Sequence, residues 1–174
     1  MSKTVLDAPI YVDTYELAKR VYDLRFALPK RDRAVLGDRM LDAVMAMLSD
    51  FTMSYKLRGA DKLTYTDMFM AHFEALKGIL RLSREKKVNN DLKNGKNPKE
   101  DSKTDKKKDS KTDKKYVSTF EYIKRIDDGI IAWREKIARV VRSTAASNYG
   151  RRSGLQEQLR GGDGIINTSS GSAP

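Results

Sequence analysis

One periodic stretch, residues 116–142, limits the fold of this chain more than any other part of the sequence. Its apolar side chains recur at steps of three and four residues, the spacing that gathers side chains on one face of an α-helix. They are Tyr116, Phe120, Ile123, Ile126, Ile130, Trp133, Ile137, Val140 and Val141. The opposite face is charged. Because a helix with a single apolar stripe is stable in water only when other helices cover it, the stretch predicts an all-α protein.

A first covering helix is predicted upstream. It should begin at Asp13, because Asp13 and Glu16 form a capping-box pattern in which each satisfies backbone N–H groups of the first turn. It should end near Leu28, because Pro29 disfavours the helical conformation in the residue before it.

Two more helices are expected after short connections. A polar turn at 30–33, with Asp32 as the N-cap, leads into the second helix, which is predicted to stop at Gly59. The third helix begins within 61–67 and runs to about Lys87. Short connections between helices of similar length make neighbours antiparallel, so the sequence predicts an up-down-up-down four-helix bundle. The apolar face of the third helix is wide, which favours burial in an oligomer.

Glycines interrupt three of the predicted helices, at Gly37, Gly78 and Gly129. A glycine in a helix costs about 1 kcal/mol relative to alanine. Close approach between helices is the expected structural reason for all three, since no glycine-rich phosphate-binding motif is present in the sequence.

The remaining segments differ in composition from the predicted bundle, which comprises 13–88 and 116–142. Residues 1–12 have no helical period and are interpreted as an arm. The lysine-rich segment 89–115 contains the sequence DSKTDKK twice and has almost nothing apolar to bury, so it is predicted to be a disordered insertion between the third and fourth helices. Residues 143–174 are rich in Gly, Ser and Arg and are predicted to form a basic flexible tail.

The residue types of this chain argue against a catalytic site or a metal site. It has no cysteine and one histidine, His72, which lies in an apolar helical context and is interpreted as a packing residue. Asp127 and Asp128 are adjacent, so on a helix they point to different sides and do not form a facing carboxylate pair. No nucleophile–base set can be assembled, and the sequence predicts a protein that is not an enzyme and has no catalytic residues, cofactor or metal site.

The cellular location follows from what the sequence lacks. It has no run of about eighteen apolar residues, as a transmembrane helix requires. Its first residues lack the apolar core of a secretory signal. A cytoplasmic protein without a membrane partner is expected.

The formal net charge of +11 is concentrated in two segments. Residues 86–115 carry a net charge of +6 and residues 134–160 carry +5. A polyanion such as RNA or DNA is the natural partner of such a charge, although a solvated surface that only keeps the protein soluble remains an open alternative.

The candidate nucleic-acid-binding residues are the cations at the ends of the predicted helices and in the tail. In an up-down-up-down bundle the first and second groups meet at one end and the third group lies at the other. The groups are Lys30, Arg31 and Arg33; then Arg81, Arg84, Lys86 and Lys87; then Arg134, Lys136, Arg139 and Arg142, with Arg151 and Arg152 beyond them.

The order of these segments resembles a known family. Leu28–Pro29–Lys30, Leu36–Gly37, the helix FEALKGILRLSREKKV at 73–88 and IDDGIIAW at 126–133 are similar to the accessory variability determinant, Avd, of diversity-generating retroelements. The same superfamily of four-helix bundles includes proteins encoded in 23S ribosomal RNA intervening sequences. The resemblance covers about 14–88 and 116–140; the lysine-rich insertion and the basic tail depart from it.

The resemblance implies a protomer that assembles into a ring-shaped homopentamer with a positively charged surface. It also implies two partners, the reverse transcriptase of the retroelement and the template-repeat RNA, with contact to the cDNA as a further option. Members of the family are not catalytic; they support a polymerase that misincorporates at template adenines during mutagenic retrohoming in bacteria and phages. The alternative is an intervening-sequence-type interaction protein without a retroelement role.

Overall fold

The computed structural model describes the backbone of residues 4–93 and 103–160, and the side chains of 4–86 and 112–147. The described residues form four helices and no strand, which confirms the all-α prediction. Helix α1 is Pro9–Ala27, α3 is Gly59–Lys93 and α4 is Lys103–Arg160. Helix α2 consists of Lys30–Asp32, a π-helical turn at Arg33–Gly37, and Asp38–Lys56. None of the described helices is long and apolar enough to cross a membrane.

Helix α1 begins earlier than the sequence predicts. A 3-10 turn at Val5–Asp7 precedes it, and the Thr4 backbone N–H donates to Oδ2 of Asp7 over 2.9 Å. Pro9 then occupies the first helical position, where its fixed φ suits a helix and its missing N–H costs nothing. The predicted start at Asp13 is therefore wrong. The predicted end near Leu28 is confirmed, since Leu28 is extended with ψ 151°.

The connection between α1 and α2 is shorter than predicted. Residues 30–33 are helical rather than a polar turn, so only Leu28 and Pro29 join the two helices. Asp32 directly precedes the π-helical turn but makes no side-chain capping hydrogen bond; its Oδ1 accepts a hydrogen bond from Nζ of Lys86 over 2.6 Å. The α2–α3 boundary also differs, because α2 ends at Lys56 and Gly59, predicted as a helix stop, opens α3 with φ +60°.

The four helices contact one another in a closed order: α1 with α2, α2 with α3, α3 with α4, and α4 with α1. Contacts between α2 and α3 run in opposite chain directions. The hydroxyl of Ser54 is 2.8 Å from that of Thr66, while Asp32, near the start of α2, meets Lys86, late in α3. Contacts between α3 and α4 are also antiparallel, since Ser83 bonds Tyr116 and Lys77 bonds Asp127. The fully buried core side chains include Leu17, Val21, Leu24, Met40, Met47, Phe69, Phe73, Leu76, Leu80 and Ile130.

Of Gly37, Gly78 and Gly129, only Gly37 lies at a close approach between helices. A Cβ atom on Gly37 would come within 2.7 Å of Cγ of Arg25, so α1 and α2 meet there as expected. Gly78 and Gly129 are exposed, and a Cβ atom on either would meet nothing within 4 Å. The prediction of close packing is wrong at those two positions, because both lie on the outer faces of their helices.

Helix α4 extends beyond the predicted 116–142 at both ends. Its first described turns, at 103–115, fall in the segment predicted to be disordered, and 143–160 falls in the predicted tail. The turn at 112–115 contacts α1: Oγ1 of Thr112 donates to the Ala27 carbonyl over 3.4 Å, and Nζ of Lys115 donates to the Asp23 carbonyl over 3.0 Å. Composition alone does not show these polar contacts between α4 and α1. Residues 89–93 are also helical, and the rest of the insertion and tail, 94–102 and 161–174, lies outside the described residues.

Candidate nucleic-acid interface

The start of α2 and the late turns of α3 lie next to each other at one end of the molecule. The ion pair between Lys86 and Asp32, at 2.6 Å, joins these two elements. Lys30 and Arg31, both exposed, begin α2 immediately before Asp32. They therefore lie at the same end of the molecule as Arg84, one half-turn before Lys86 on α3.

Arg81 and Arg84 have the side chains best placed for an external anion. They are three residues apart on α3, so they share a face of the helix, and both are exposed. No described carboxylate forms an ion pair with either guanidinium. A free guanidinium binds a phosphate with two parallel hydrogen bonds, which makes this pair suited to a nucleic-acid backbone.

Arg33 and Lys86 are committed to contacts within the protein. Nη2 of Arg33 donates to the carbonyls of Phe26 and Leu28 over 3.0 and 3.3 Å, at the end of α1 where helix carbonyls lack partners. Its guanidinium carbon also lies 5.4 Å from the centre of the Phe26 ring. Lys86 is held by Asp32, so neither cation is as open to a ligand as Arg81 and Arg84. Lys87 is helical, but its side chain lies outside the described part.

The candidate binding cations of α4 differ from one another in their exposure and in their contacts within the protein. Nε of Arg134 lies 2.9 Å from Oδ1 of Asp67, an exposed ion pair of the kind that contributes about 1 kcal/mol or less. Arg139 is exposed, and exposed Arg142 donates from Nε to the Ala138 carbonyl of its own helix over 3.2 Å. Lys136 is exposed beside an apolar groove. Arg151 and Arg152 belong to the helical backbone of α4, but their side chains are outside the described set.

The two groups of cations lie at opposite ends of α3. Arg134 contacts α3 at Asp67, and the first group contacts α3 at Lys86. These two positions are nineteen residues apart along α3, or about 28 Å at roughly 1.5 Å per residue. The structure thus brings Lys30, Arg31 and Arg84 to one end and keeps the α4 group apart from them.

Between the two groups of cations, the charge of Lys77 is neutralised by two carboxylates. Nζ of Lys77 contacts Oε1 of Glu74 at 2.6 Å and Oδ1 of Asp127 at 3.2 Å. Burial lowers the pKa of Lys77, but the hydrogen bonds to Glu74 and Asp127 outweigh this and place its pKa above the ordinary value. Lys77 is therefore a charged member of a local network rather than a cation open to a ligand.

Two features were not found from the sequence. The buried ring of Tyr122 lies between two arginines, with the guanidinium carbons of Arg20 and Arg125 each 4.5 Å from its centre. Burial raises the pKa of Tyr122. The second feature is the apolar groove beside Lys136, whose rim includes Arg58 and Lys62. The tyrosine–arginine spacing within α4 was visible in the sequence, whereas the groove depends on how separate helices meet.

His72, interpreted from the sequence as a packing residue, also forms a hydrogen bond with a buried residue of α2. Its Nδ1 lies 2.7 Å from Oδ2 of Asp50, a residue that is only 5% exposed. Among the described residues, no group of three His, Cys, Asp or Glu side chains is placed to hold a metal ion. The pair therefore links α2 to α3.

Comparisons of the chain with protein-family models, with curated proteins and with solved structures find no match.

Proposed function

We propose that this chain is a non-catalytic, nucleic-acid-binding accessory subunit of the reverse transcriptase of a diversity-generating retroelement. In this role it binds template-repeat RNA and the polymerase and supports adenine-directed, mutagenic cDNA synthesis in the cytoplasm of a bacterium. The resemblance of the segment order to the Avd family supplies the identity of the partners. The structural observation that carries the proposal is the set of exposed cations at one end of the molecule: Lys30, Arg31, Arg81 and Arg84.

The chemistry of these four side chains fits a phosphate backbone. They belong to two helices that the Lys86–Asp32 ion pair holds together, so their positions are fixed relative to one another. Binding of single-stranded RNA through Z cations lowers log K by about 0.7Z per unit of log salt concentration. If all four cations contact phosphates, the expected slope from this surface is about −3.

The fold proposed for this role is an up-down-up-down four-helix bundle that forms a homopentamer. The antiparallel contacts of α2 with α3 and of α3 with α4 support the bundle. Support for assembly comes from α1, where Tyr15, Tyr22 and Phe26 are each about half exposed. Aromatic rings at exposed positions are enriched where proteins contact one another. Sedimentation of the purified protein tests this, since a pentamer has five times the mass of the 19.8 kDa chain.

The binding surface is tested by fluorescence anisotropy with labelled template-repeat RNA over a series of salt concentrations. The double variant Arg81→Gln, Arg84→Gln is expected to bind at least tenfold more weakly at moderate salt and to lower the magnitude of the salt slope by about 1.4. The matched control is Lys19→Gln, Lys124→Gln, which removes the same charge from exposed positions outside the proposed surface. Equal losses for the two double variants would show that only net charge matters and would remove the support for this surface.

The partner is tested separately by the gene context. An adjacent reverse transcriptase gene and a pair of repeats that differ at adenines are expected. A chain without either neighbour that nevertheless forms the proposed bundle would instead be an intervening-sequence-type interaction protein.

A further inference from the structure

An apolar groove of about 560 Å³ lies at the end of the molecule opposite to Lys30 and Arg31. The first turn of α1, the end of α2 and the middle of α4 form its walls. The apolar lining includes Ile10, Phe51, Leu57, Trp133, Ile137 and Val140. Of these, Val140 is 55% exposed, so the groove presents apolar surface to solvent.

The groove follows α4. Trp133, Ile137, Val140 and Thr144 line it at helical spacing, a distance of about 17 Å or three turns. Helix α1 begins at Pro9, α2 ends at Lys56 and α3 begins at Gly59, all beside this part of α4. The apolar stripe of α4 therefore continues past the ends of the other three helices, and no residue that the structure describes covers one side of it there.

Cations border the groove. Arg58, Lys62 and Lys136 line it, whereas no carboxylate among the described side chains does. No described acidic side chain forms an ion pair with any of the three. A rim of a single charge sign around an apolar floor is complementary to a ligand with apolar anchors and negative flanks.

We propose that this groove binds an acidic amphipathic helix of a partner protein. Apolar side chains at i, i+4 and i+7 of that helix enter the groove beside Trp133 and Val140, and its glutamates or aspartates meet Arg58, Lys62 and Lys136. A helix of about three turns matches the length of the exposed stripe on α4, and this is the geometry in which a groove receives an amphipathic helix. The proposal is independent of the RNA-binding function, because it uses different residues at the other end of the molecule.

The sole tryptophan of the chain reports on occupancy, since Trp133 lines the groove. The probe is a synthetic 18-residue peptide with Leu or Phe at i, i+4, i+7 and i+11 and with Glu at most other positions. Addition of the peptide is expected to shift the Trp133 emission to shorter wavelength in a saturable way. A peptide with the same apolar residues and Lys in place of Glu is expected to bind at least tenfold more weakly.

Two variants separate groove binding from other effects. Val140→Asp places a charge on the exposed floor and is expected to weaken binding of the acidic peptide at least tenfold, whereas Val117→Asp, at a position of α4 that is 44% exposed, leaves it unchanged. Lys62→Glu with Lys136→Glu is expected to abolish the preference for the acidic peptide. This second variant leaves the apolar floor intact, so it tests the proposal even if Val140→Asp proves unstable.

Three results would overturn the proposal. The first is an unchanged Trp133 emission at saturating peptide, and the second is equal binding of the acidic and basic peptides. The third is a wild-type oligomer that Val140→Asp dissociates in sedimentation, which would assign the groove to a second copy of this chain.

Discussion

Nδ1 of His72, on α3, lies 2.7 Å from Oδ2 of Asp50, on α2, and Asp50 is only 5% exposed. A buried carboxylate without a hydrogen-bond partner costs about 1–3 kcal/mol or more. The only histidine of the chain therefore stabilises the α2–α3 contact by satisfying a group that burial would otherwise penalise.

His72→Ala is expected to lower the free energy of unfolding by about 2 kcal/mol, because it leaves the Asp50 carboxylate buried without this partner. Replacing both residues, as Asp50→Ala with His72→Ala, should cost less than the sum of the single changes by at least about 1 kcal/mol. Urea denaturation of the four proteins gives this coupling energy. Additive single effects would show that the hydrogen bond contributes nothing.

Trp133 packs its ring against two others, with centroids 5.3 Å from Phe51 and 5.2 Å from Phe69. Trp133→Ala is expected to destabilise the protein by about 3 kcal/mol, the lower part of the range for buried aromatic residues, because one side of the ring faces the groove. Trp133→Phe should retain most of the stability. A Trp133→Ala protein with unchanged stability and no RNA binding would instead make the ring a base-stacking group.

Gly37 and Gly129 should respond in opposite ways to alanine. Gly37→Ala brings a Cβ atom to 2.7 Å from Cγ of Arg25 and disturbs the neighbouring Arg25–Asp38 ion pair, so a loss of about 1–3 kcal/mol is expected. Gly129→Ala meets no atom within 4 Å and should stabilise the helix by up to about 1 kcal/mol. Thermal unfolding distinguishes them. A stabilising Gly37→Ala would show that α1 and α2 have room to separate.

Stability should decrease at high pH. Burial raises the pKa of Tyr116 above its ordinary value of 10.0, so the folded state retains a proton that the unfolded state loses. The pKa of Lys77 is also raised and acts in the same direction. The contribution of both groups is complete below pH 10 and disappears as the pH rises through their folded-state values.

Tyr116→Phe is the matching variant. It removes the ionisable group together with the hydrogen bond to Ser83, so it should be about 1 kcal/mol less stable at pH 7 and lose stability less steeply above pH 10. Tyr22→Phe, at a half-exposed ring, is the control and should follow the wild-type curve. An unchanged slope for Tyr116→Phe would contradict the effect of burial on this phenol.

The sequence predicts those parts of the fold that depend on local chemistry. The stripe from Tyr116 onward gives the all-α class, and Pro29 fixes the end of α1 at Leu28. The start of α1 is missed because Pro9 opens the helix four residues ahead of the expected start, after a 3-10 turn that Thr4 and Asp7 cap outside the periodic segment. The backbone of 103–115 is helical, and Thr112 and Lys115 in its last turn bond to α1, which no local pattern contains.

The candidate interface is only partly visible in the sequence. The positions of cations in the sequence predict Arg81, Arg84, Arg33 and Lys86 alike as binding residues. In the structure, however, Arg33 donates to the Phe26 carbonyl and Lys86 forms an ion pair with Asp32. The partner of each cation depends on the register between helices. The groove is likewise not predictable from local sequence patterns. It forms because the apolar stripe of α4 extends beyond the start of α1, the end of α2 and the start of α3.

The proposed function is tested most directly by joint purification. The chain is co-expressed with the proposed partners, a reverse transcriptase from a neighbouring gene and the template-repeat RNA, and one affinity tag on the chain is used for capture at moderate salt. We expect that polymerase and RNA are both retained, and that the Arg81→Gln, Arg84→Gln variant retains the polymerase but much less RNA. Capture of neither the polymerase nor the RNA by the folded wild-type protein would contradict the proposed function.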